Sequence, residues 1–254
     1  MKLRVLGCSG GVAQGLRTTS LLINDNILID AGSGVGDLSL EEMALIEHIF
    51  ITHSHIDHVG FLPLLVDSVF SDITRPIIVH SQAVTIQAIR DHIFNWIIWP
   101  DFSQLPRPDK AVLQFKPMAP DETLLIDDVL FQMIEVSHTV PAVAYRIEHD
   151  GKSIAFSGDT SSNDTLWDRL NAYSDLDILI VESAFSDEQY DLALLSRHYT
   201  PSLLAQDLHK LRHTPEIYIT HLKPGDEQKI TEELNKLTPK REFKILQNDT
   251  IFTL

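Results

Sequence analysis

The order of apolar and polar positions along the first half of the chain predicts strands that alternate with helices. Short apolar runs typical of strands occur at residues 3–6, 20–23 and 26–29, and a turn around Asp25 joins the last two as a hairpin. The next predicted strands are residues 49–52 and 77–80, and the predicted helices are residues 40–47, 59–70 and 81–94. This alternation favours the α/β class of fold.

The second half of the chain begins again with strands, and helices alternate with the later strands. The predicted strands are residues 123–126, 129–136, 142–148, 153–157, 178–181, 217–220, 243–246 and 251–254, and the predicted helices are residues 163–172, 200–211 and 226–236. Two β-rich halves, each finished by helices, predict a four-layer αββα sandwich of mixed sheets with helices outside. We expect one domain over residues 1–254.

Residues 96–120 differ in composition from the rest of the chain. Five prolines and several large aromatic residues fall within this segment. A flexible linker would lack so many large apolar groups, so the composition predicts an ordered loop or lid. Trp96, Trp99 and Phe102 either line a pocket or pack in the core beneath the segment.

Composition and charge narrow the classes of protein that fit this chain. The 254 residues are 44% hydrophobic, which is enough for a substantial core. The single cysteine, Cys8, cannot form an internal disulfide, so a reducing compartment, by default the cytoplasm, is expected. No apolar run is long enough for a membrane span. The formal net charge of −16 argues against nucleic acid and favours a small anionic substrate.

One short segment concentrates groups that bind metal ions. Residues 52–58 read Thr-His-Ser-His-Ile-Asp-His and follow a predicted strand, so a turn there could direct alternate side chains at two adjacent ions. Imidazole nitrogen and carboxylate oxygen both suit zinc-like ions. His138, Asp159 and His221 each follow a later predicted strand, and strand ends on one edge of a sandwich can converge. These residues predict a two-metal hydrolase.

Together, residues 53–58, His138, residues 157–160 and His221 resemble the metallo-β-lactamase superfamily, in the order that family uses. The resemblance covers nearly the whole chain and implies an αββα sandwich with a dinuclear site on one edge. It implies that His53, His55 and His138 hold one metal, that Asp57, His58 and His221 hold the other, and that Asp159 bridges them. Zinc is the default ion, and manganese or iron can occupy such sites.

Asp30 matches the family's early aspartate, which orients a ligand histidine. Its alternative role is to cap a turn. No cysteine occupies the position of Asp159, which departs from the pattern of antibiotic-hydrolysing members and favours a phosphodiester or related ester.

Finer motifs are similar to class II 3′,5′-cyclic-nucleotide phosphodiesterases. These motifs are residues 58–65, 99–102, 182–185, 196–201 and 220–224. The resemblance implies hydrolysis of cAMP or cGMP to the 5′-monophosphate through a hydroxide that bridges the two metals. Asp57 would orient the nucleophile or accept its proton. His198, held by Glu182, would stabilise the phosphate or protonate the departing oxygen.

Several of these residues have simpler explanations. His198 could be an ordinary residue before a helix that starts at Thr200 and Pro201, and Glu182 a plain carboxylate at a strand end. The glycines at positions 7, 10 and 11 resemble a phosphate cradle, but turn geometry explains them better. Trp96, Trp99 and Phe102 could stack a nucleobase if they line the pocket.

Two other functions remain compatible with the sequence. A tRNA 3′-processing endonuclease shares the seven ligands, yet it usually carries a basic arm, whereas residues 96–120 contain few basic residues. A non-catalytic nucleotide-binding sensor could keep the fold around an inert metal centre, although the intact ligand set argues against it. A homodimer is also compatible with the chain.

Overall fold

The computed structural model describes residues 1–238 and 241–254, which form fourteen strands and eight α-helices. The strands are β1 (Lys2–Gly7), β2 (Ser20–Ile23), β3 (Ile27–Ile29), β4 (His48–Phe50), β5 (Ile77–Ser81), β6 (Leu113–Pro117), β7 (Thr123–Ile126), β8 (Val129–Val136), β9 (Ala142–His149), β10 (Lys152–Phe156), β11 (Ile178–Glu182), β12 (Glu216–Thr220), β13 (Phe243–Ile245) and β14 (Ile251–Thr253). The helices are α1 (Leu40–Met43), α2 (Ile56–Val59), α3 (Leu62–Ser68), α4 (Ala83–His92), α5 (Thr165–Asn171), α6 (Tyr190–Ser196), α7 (Pro201–Asp207) and α8 (Glu227–Leu237).

The strands form two mixed sheets of seven. The first has the order β14-β1-β2-β3-β4-β5-β6, and the second has the order β13-β12-β11-β10-β9-β8-β7. In each sheet an antiparallel part continues into a parallel part, which runs from β3 to β6 in the first and from β10 to β13 in the second. The strand β14 returns to pair with β1 and forms the edge of the first sheet opposite β6.

The two sheets pack face to face because both contribute alternate apolar side chains to one core. Phe50 of β4 stacks on Phe131 of β8 with ring centroids 4.2 Å apart, and Tyr145 of β9 meets Phe50 edge-on. All three are fully buried. Aromatic pairs of this kind contribute stabilisation beyond the area they bury.

Helices cover the outer face of each sheet. Leu62 and Leu65 of α3 and Ile89 of α4 belong to the core outside the first sheet. Trp167 of α5 and Leu204 of α7 belong to the core outside the second. These layers confirm the predicted α/β class with two mixed sheets and outer helices.

Several elements differ from the sequence prediction. The expected helix over residues 59–70 is two helices, because α2 begins at Ile56 within the predicted ligand loop and ends before α3. The segment 96–120 contains the strand β6, and α6 forms where no helix was predicted. Within that segment Phe102 is buried and Trp99 packs against the same core, whereas Trp96 is exposed.

Within residues 1–238 and 241–254, no helix combines the length and the apolar character that a membrane span needs.

Candidate metal centre

The candidate site lies where strands of both sheets end. Asp30 follows β3 and His53 follows β4, two parallel strands of the first sheet. His138, Asp159 and His221 follow β8, β10 and β12 of the second sheet. In α/β structures the carboxyl ends of parallel strands are the usual place for ligands.

The structure brings the seven predicted ligands together in two groups that share Asp159. Within each group the nearest ligand atoms all lie within 4.8 Å of one another, and the groups are His53, His55, His138 and Asp159, and Asp57, His58, Asp159 and His221. Each group contains the same residues that the sequence resemblance assigned to one metal. Their role as ligands remains a prediction.

Asp159 is the centre of this cluster. Its carboxylate oxygens lie 3.2 Å from His221 Nε2, 3.3 Å from His58 Nε2 and 3.7 Å from His53 Nε2. His55 lies beside His138, with its Nδ1 3.1 Å from His138 Nε2. Asp57 and His55 are the two half-buried members, and Asp57, whose side chain is 27% exposed, has its carboxylate 3.8 Å from His58 Nε2.

The chemistry of the cluster fits divalent metal ions. The buried Nε2 atoms of His53, His58 and His221 have no hydrogen-bond partner among the described residues, and all three lie around the Asp159 carboxylate. A buried polar atom without a partner is costly, and a cation would satisfy these lone pairs together. Three imidazoles and one carboxylate, or two of each, are donor sets that suit zinc, manganese or iron.

Burial keeps most of these imidazoles neutral near neutral pH, as metal ligands must be. It lowers the pKa of His53 well below its ordinary value, that of His138 to about 4 and that of His221 to about 3. His58 is the exception, because Asp159 and Asp30 outweigh its burial and raise its pKa. The carboxylates around His58 therefore favour positive charge at this point, which a cation would supply.

Asp30 contacts His58, the kind of contact that its predicted role beside a ligand histidine requires, and that role stays a prediction. The Nδ1 of His58 donates to Asp30 Oδ2 over 2.7 Å, so Nε2 is left to face the cluster. Thr52 donates to Asp30 from both its backbone N–H, over 2.7 Å, and its hydroxyl, over 2.8 Å. Asp30 is fully buried and is held in place by these donors. Its alternative role as a turn cap does not describe these contacts.

His138 is oriented by a contact that sequence reasoning did not find. Its Nδ1 donates to the backbone carbonyl of Arg197 over 3.0 Å, and the Arg197 guanidinium donates through Nη1 to the His138 carbonyl over 2.9 Å. Arg197 ends α6 with φ of 53°, a left-handed conformation that is uncommon for arginine. No feature of residues 190–197 in the sequence marks this backbone geometry.

Glu182 and His198 form a second buried pair beside the cluster. His198 Nδ1 donates to Glu182 Oε1 over 2.7 Å, and Glu182 also accepts from the backbone N–H groups of Thr160, Ala184 and Tyr199. Burial raises the pKa of Glu182, and Glu182 in turn outweighs burial to raise the pKa of His198. The His198 ring stacks on His221 with centroids 5.4 Å apart. His198 lies between α6 and α7, before the helix that Thr200 caps.

Two glycines permit the close approach of chain segments at the site. A Cβ on Gly10 would lie 2.4 Å from the carbonyl oxygen of His221. Gly158, beside Asp159, has φ of +56° and lies against the Val143 carbonyl, which a Cβ would approach to 2.8 Å. For Gly10, close packing of the backbone is a sufficient reason for glycine.

Comparisons with known proteins agree with this architecture. Residues 25–241 match the model of the beta-lactamase superfamily domain. A probable 3′,5′-cyclic-nucleotide phosphodiesterase of Yersinia pestis is 27% identical over 274 aligned residues, which cover 88% of this chain and 78% of that protein. A ribonuclease Z of Methanopyrus kandleri is 27% identical over 154 residues, or 58% of this chain and 50% of that protein. The crystal structure of unliganded yeast PDE1 has the same fold, with a TM-score of 0.84 at 18% identity over 100% of this chain and 99% of that one.

Proposed function

This chain belongs to the metallo-β-lactamase superfamily of hydrolases, and from that premise we propose that it is a metal-dependent phosphodiesterase acting on 3′,5′-cyclic nucleotides. The observation that carries the proposal is that two groups of candidate ligands share Asp159 and that the Glu182–His198 pair lies beside them. The similarity to the Yersinia pestis phosphodiesterase over most of both chains supports this substrate class.

The two groups would hold two divalent ions, with zinc as the default. One ion would be held by His53, His55 and His138, and the other would be held by Asp57, His58 and His221. Asp159 would contribute to both sites. Two ions held there would supply Lewis acidity toward a phosphoryl oxygen and would activate a water molecule. Asp30 and Thr52 keep His58 facing the site, and Arg197 does the same for His138.

The side chains around the centre supply the proton transfers. Asp57 is the most open of the acidic ligands, so its carboxylate can receive the proton that the attacking water gives up. His198 has its Nδ1 committed to Glu182, which leaves Nε2 to donate to the substrate. In opening a cyclic nucleotide, that proton goes to the departing O3′. Because Glu182 accepts four hydrogen bonds, it holds the His198 ring in one orientation.

A tRNA 3′-processing endonuclease is the second candidate, favoured by the similarity to a ribonuclease Z over half of that protein's length. The net charge of −16 opposes it, because an acidic surface repels the phosphates that a tRNA presents on either side of the cleaved bond.

The test is an assay of the metal-loaded protein with cAMP, cGMP and a precursor tRNA in parallel. Turnover of a cyclic nucleotide to the 5′-monophosphate, absent after treatment with a chelator and restored by zinc or manganese, is the expected result. Cleavage of the precursor tRNA alone would replace this proposal by the endonuclease. Bound metal and tight nucleotide binding without turnover of any substrate would identify a sensor instead.

A further inference from the structure

A cleft beside the candidate metal centre has no role in the chemistry described so far. It has a volume of about 430 Å³ and is formed by the end of β8, the following loop, the start of α5 and Arg197. Its polar lining includes Glu135, Ser137, His138, Thr139, Asn163 and Arg197. His138 belongs both to this lining and to one ligand group, so the cleft adjoins the place where a scissile phosphate would lie.

Arg197 is the only arginine or lysine in this lining, and its guanidinium is fixed in direction. Its Nη1 donates to the His138 carbonyl over 2.9 Å, and no other described residue accepts a hydrogen bond from the guanidinium. The edge formed by Nε and Nη2 therefore keeps two parallel donors. Such an edge binds a pair of acceptors with little further loss of side-chain freedom, because the guanidinium is already anchored.

Two parallel donors match a phosphate, a carboxylate or the O6 and N7 atoms of guanine. A cyclic mononucleotide has one phosphate, which the metal centre and His198 would engage, so the cleft receives the nucleoside. Adenine offers N7 beside an N6 amino group, which is a donor and would oppose one of the two arginine donors. An asparagine amide can hydrogen-bond to adenine, but that of Asn163 is already engaged. It donates to the Thr160 hydroxyl and the Ser161 carbonyl and accepts from the Leu166 backbone N–H.

Glu135 adds a second reason for the same choice. It is the one carboxylate in the lining and it is exposed. The N1–H and N2 amino group of guanine are donors that a carboxylate accepts, whereas the N1 of adenine is an acceptor that a carboxylate repels. A donor pair and an acceptor in one cleft are complementary to guanine and not to adenine.

We propose that this cleft is the nucleobase subsite and that Arg197 makes the protein select cGMP over cAMP. The inference rests on the proposed function. One arginine that donates two hydrogen bonds to guanine favours it over another base by at least about fivefold. The expected ratio of kcat/KM for cGMP to that for cAMP is therefore about five or more.

The experiment compares that ratio in the metal-loaded wild type and in variants at position 197. Arg197→Asn suits the left-handed backbone and removes the guanidinium donors, so the ratio should fall at least about fivefold, to the preference that Glu135 alone contributes. Arg197→Lys keeps the charge without the planar pair of donors, and its ratio should fall as well. Arg75→Asn, at an exposed arginine paired with Glu47, should keep the wild-type ratio. Metal content is measured for each variant, since Arg197 also holds His138.

A substrate analogue tests the contact itself. The compound 7-deaza-cGMP lacks the N7 acceptor and so loses one hydrogen bond, which should cost the wild type at least about threefold in kcat/KM relative to cGMP, whereas Arg197→Asn should lose little. A wild-type ratio near one, or a ratio that Arg197→Asn leaves unchanged, overturns the inference and leaves the phosphodiesterase proposal intact. Absence of turnover of both cyclic nucleotides instead rejects the proposed function.

Discussion

At the scale of single residues, His198 should affect turnover without affecting metal binding. Its Nδ1 contact is with Glu182, and it belongs to neither ligand group. His198→Ala is expected to lower kcat by 10²- to 10⁴-fold, the usual contribution of a positioned acid, with metal content unchanged. The matched control is the exposed His209→Ala, which should keep full turnover. Loss of metal from the His198 variant, measured by elemental analysis, would assign this histidine to the ligand set.

A substitution of Asp30 should have the opposite effect and should primarily weaken the affinity of the site for metal. In Asp30→Asn, one orientation of the amide presents its N–H₂ to the Nδ1–H of His58, two donors that face each other, and disturbs the orientation of that ring. Loss of such a partner typically costs 10- to 100-fold in metal affinity. Competition with a coloured chelator measures it, and Asp25→Asn, an exposed change in the preceding hairpin, serves as control. Equal metal affinities in Asp30→Asn and Asp25→Asn would show that Asp30 does not support metal binding.

At the scale of elements, a histidine pair links two neighbouring strands of the first sheet away from the site. His48 of β4 and His80 of β5 approach to 3.0 Å between Nδ1 and Nε2. Burial, with smaller effects of His48 and Lys116, lowers the pKa of His80 to about 3. An unfolded histidine has a pKa of about 6.5, so below that pH only the unfolded state takes up the proton. The free energy of unfolding therefore falls as pH decreases from about 6.5 toward 3.

The expected size is about 1.4 kcal/mol per pH unit, or about 2 kcal/mol between pH 6.5 and pH 5. His80→Gln should remove this part of the pH dependence, which urea unfolding at several pH values can measure. Ile78→Val on the same strand is the control, because it changes packing without changing a titrating group. Parallel pH profiles for wild type and His80→Gln would contradict the burial argument.

The elements also show what could be read from the sequence and what could not. The strand-then-ligand pattern identified β4, β8, β10 and β12, because each is an apolar run that ends next to a histidine or an aspartate. β6 was missed because its alternation of Leu113, Phe115 and polar residues lies among prolines that suggested a loop. α6 was missed because Leu192, Leu194 and Leu195 are exposed and leave no clear apolar face. The contact of Arg197 with His138 depends on one left-handed residue, which composition does not encode.

At the scale of the whole molecule, metal binding should stabilise the fold because the ligands come from both sheets. An ion at 100 times its dissociation constant adds about 2.7 kcal/mol to the free energy of unfolding. For a chain of this length that corresponds to a rise in Tm of about 5 to 10 °C. Calorimetry with zinc and with a chelator measures the difference, and Asp159→Ala, which removes the shared carboxylate, should abolish most of it. An equal Tm with zinc and with chelator would argue against ions at this site.

The division of the seven ligands between the two sheets has a consequence for how the chain could be cut. A break between β6 and β7 would leave His53, His55, Asp57 and His58 on one piece and His138, Asp159 and His221 on the other, so neither piece alone could assemble a full group. The second piece would still carry β14, whose place is beside β1 of the first, and this would guide reassociation. The two pieces could therefore serve as a split reporter, because catalysis would return only when they reassociate.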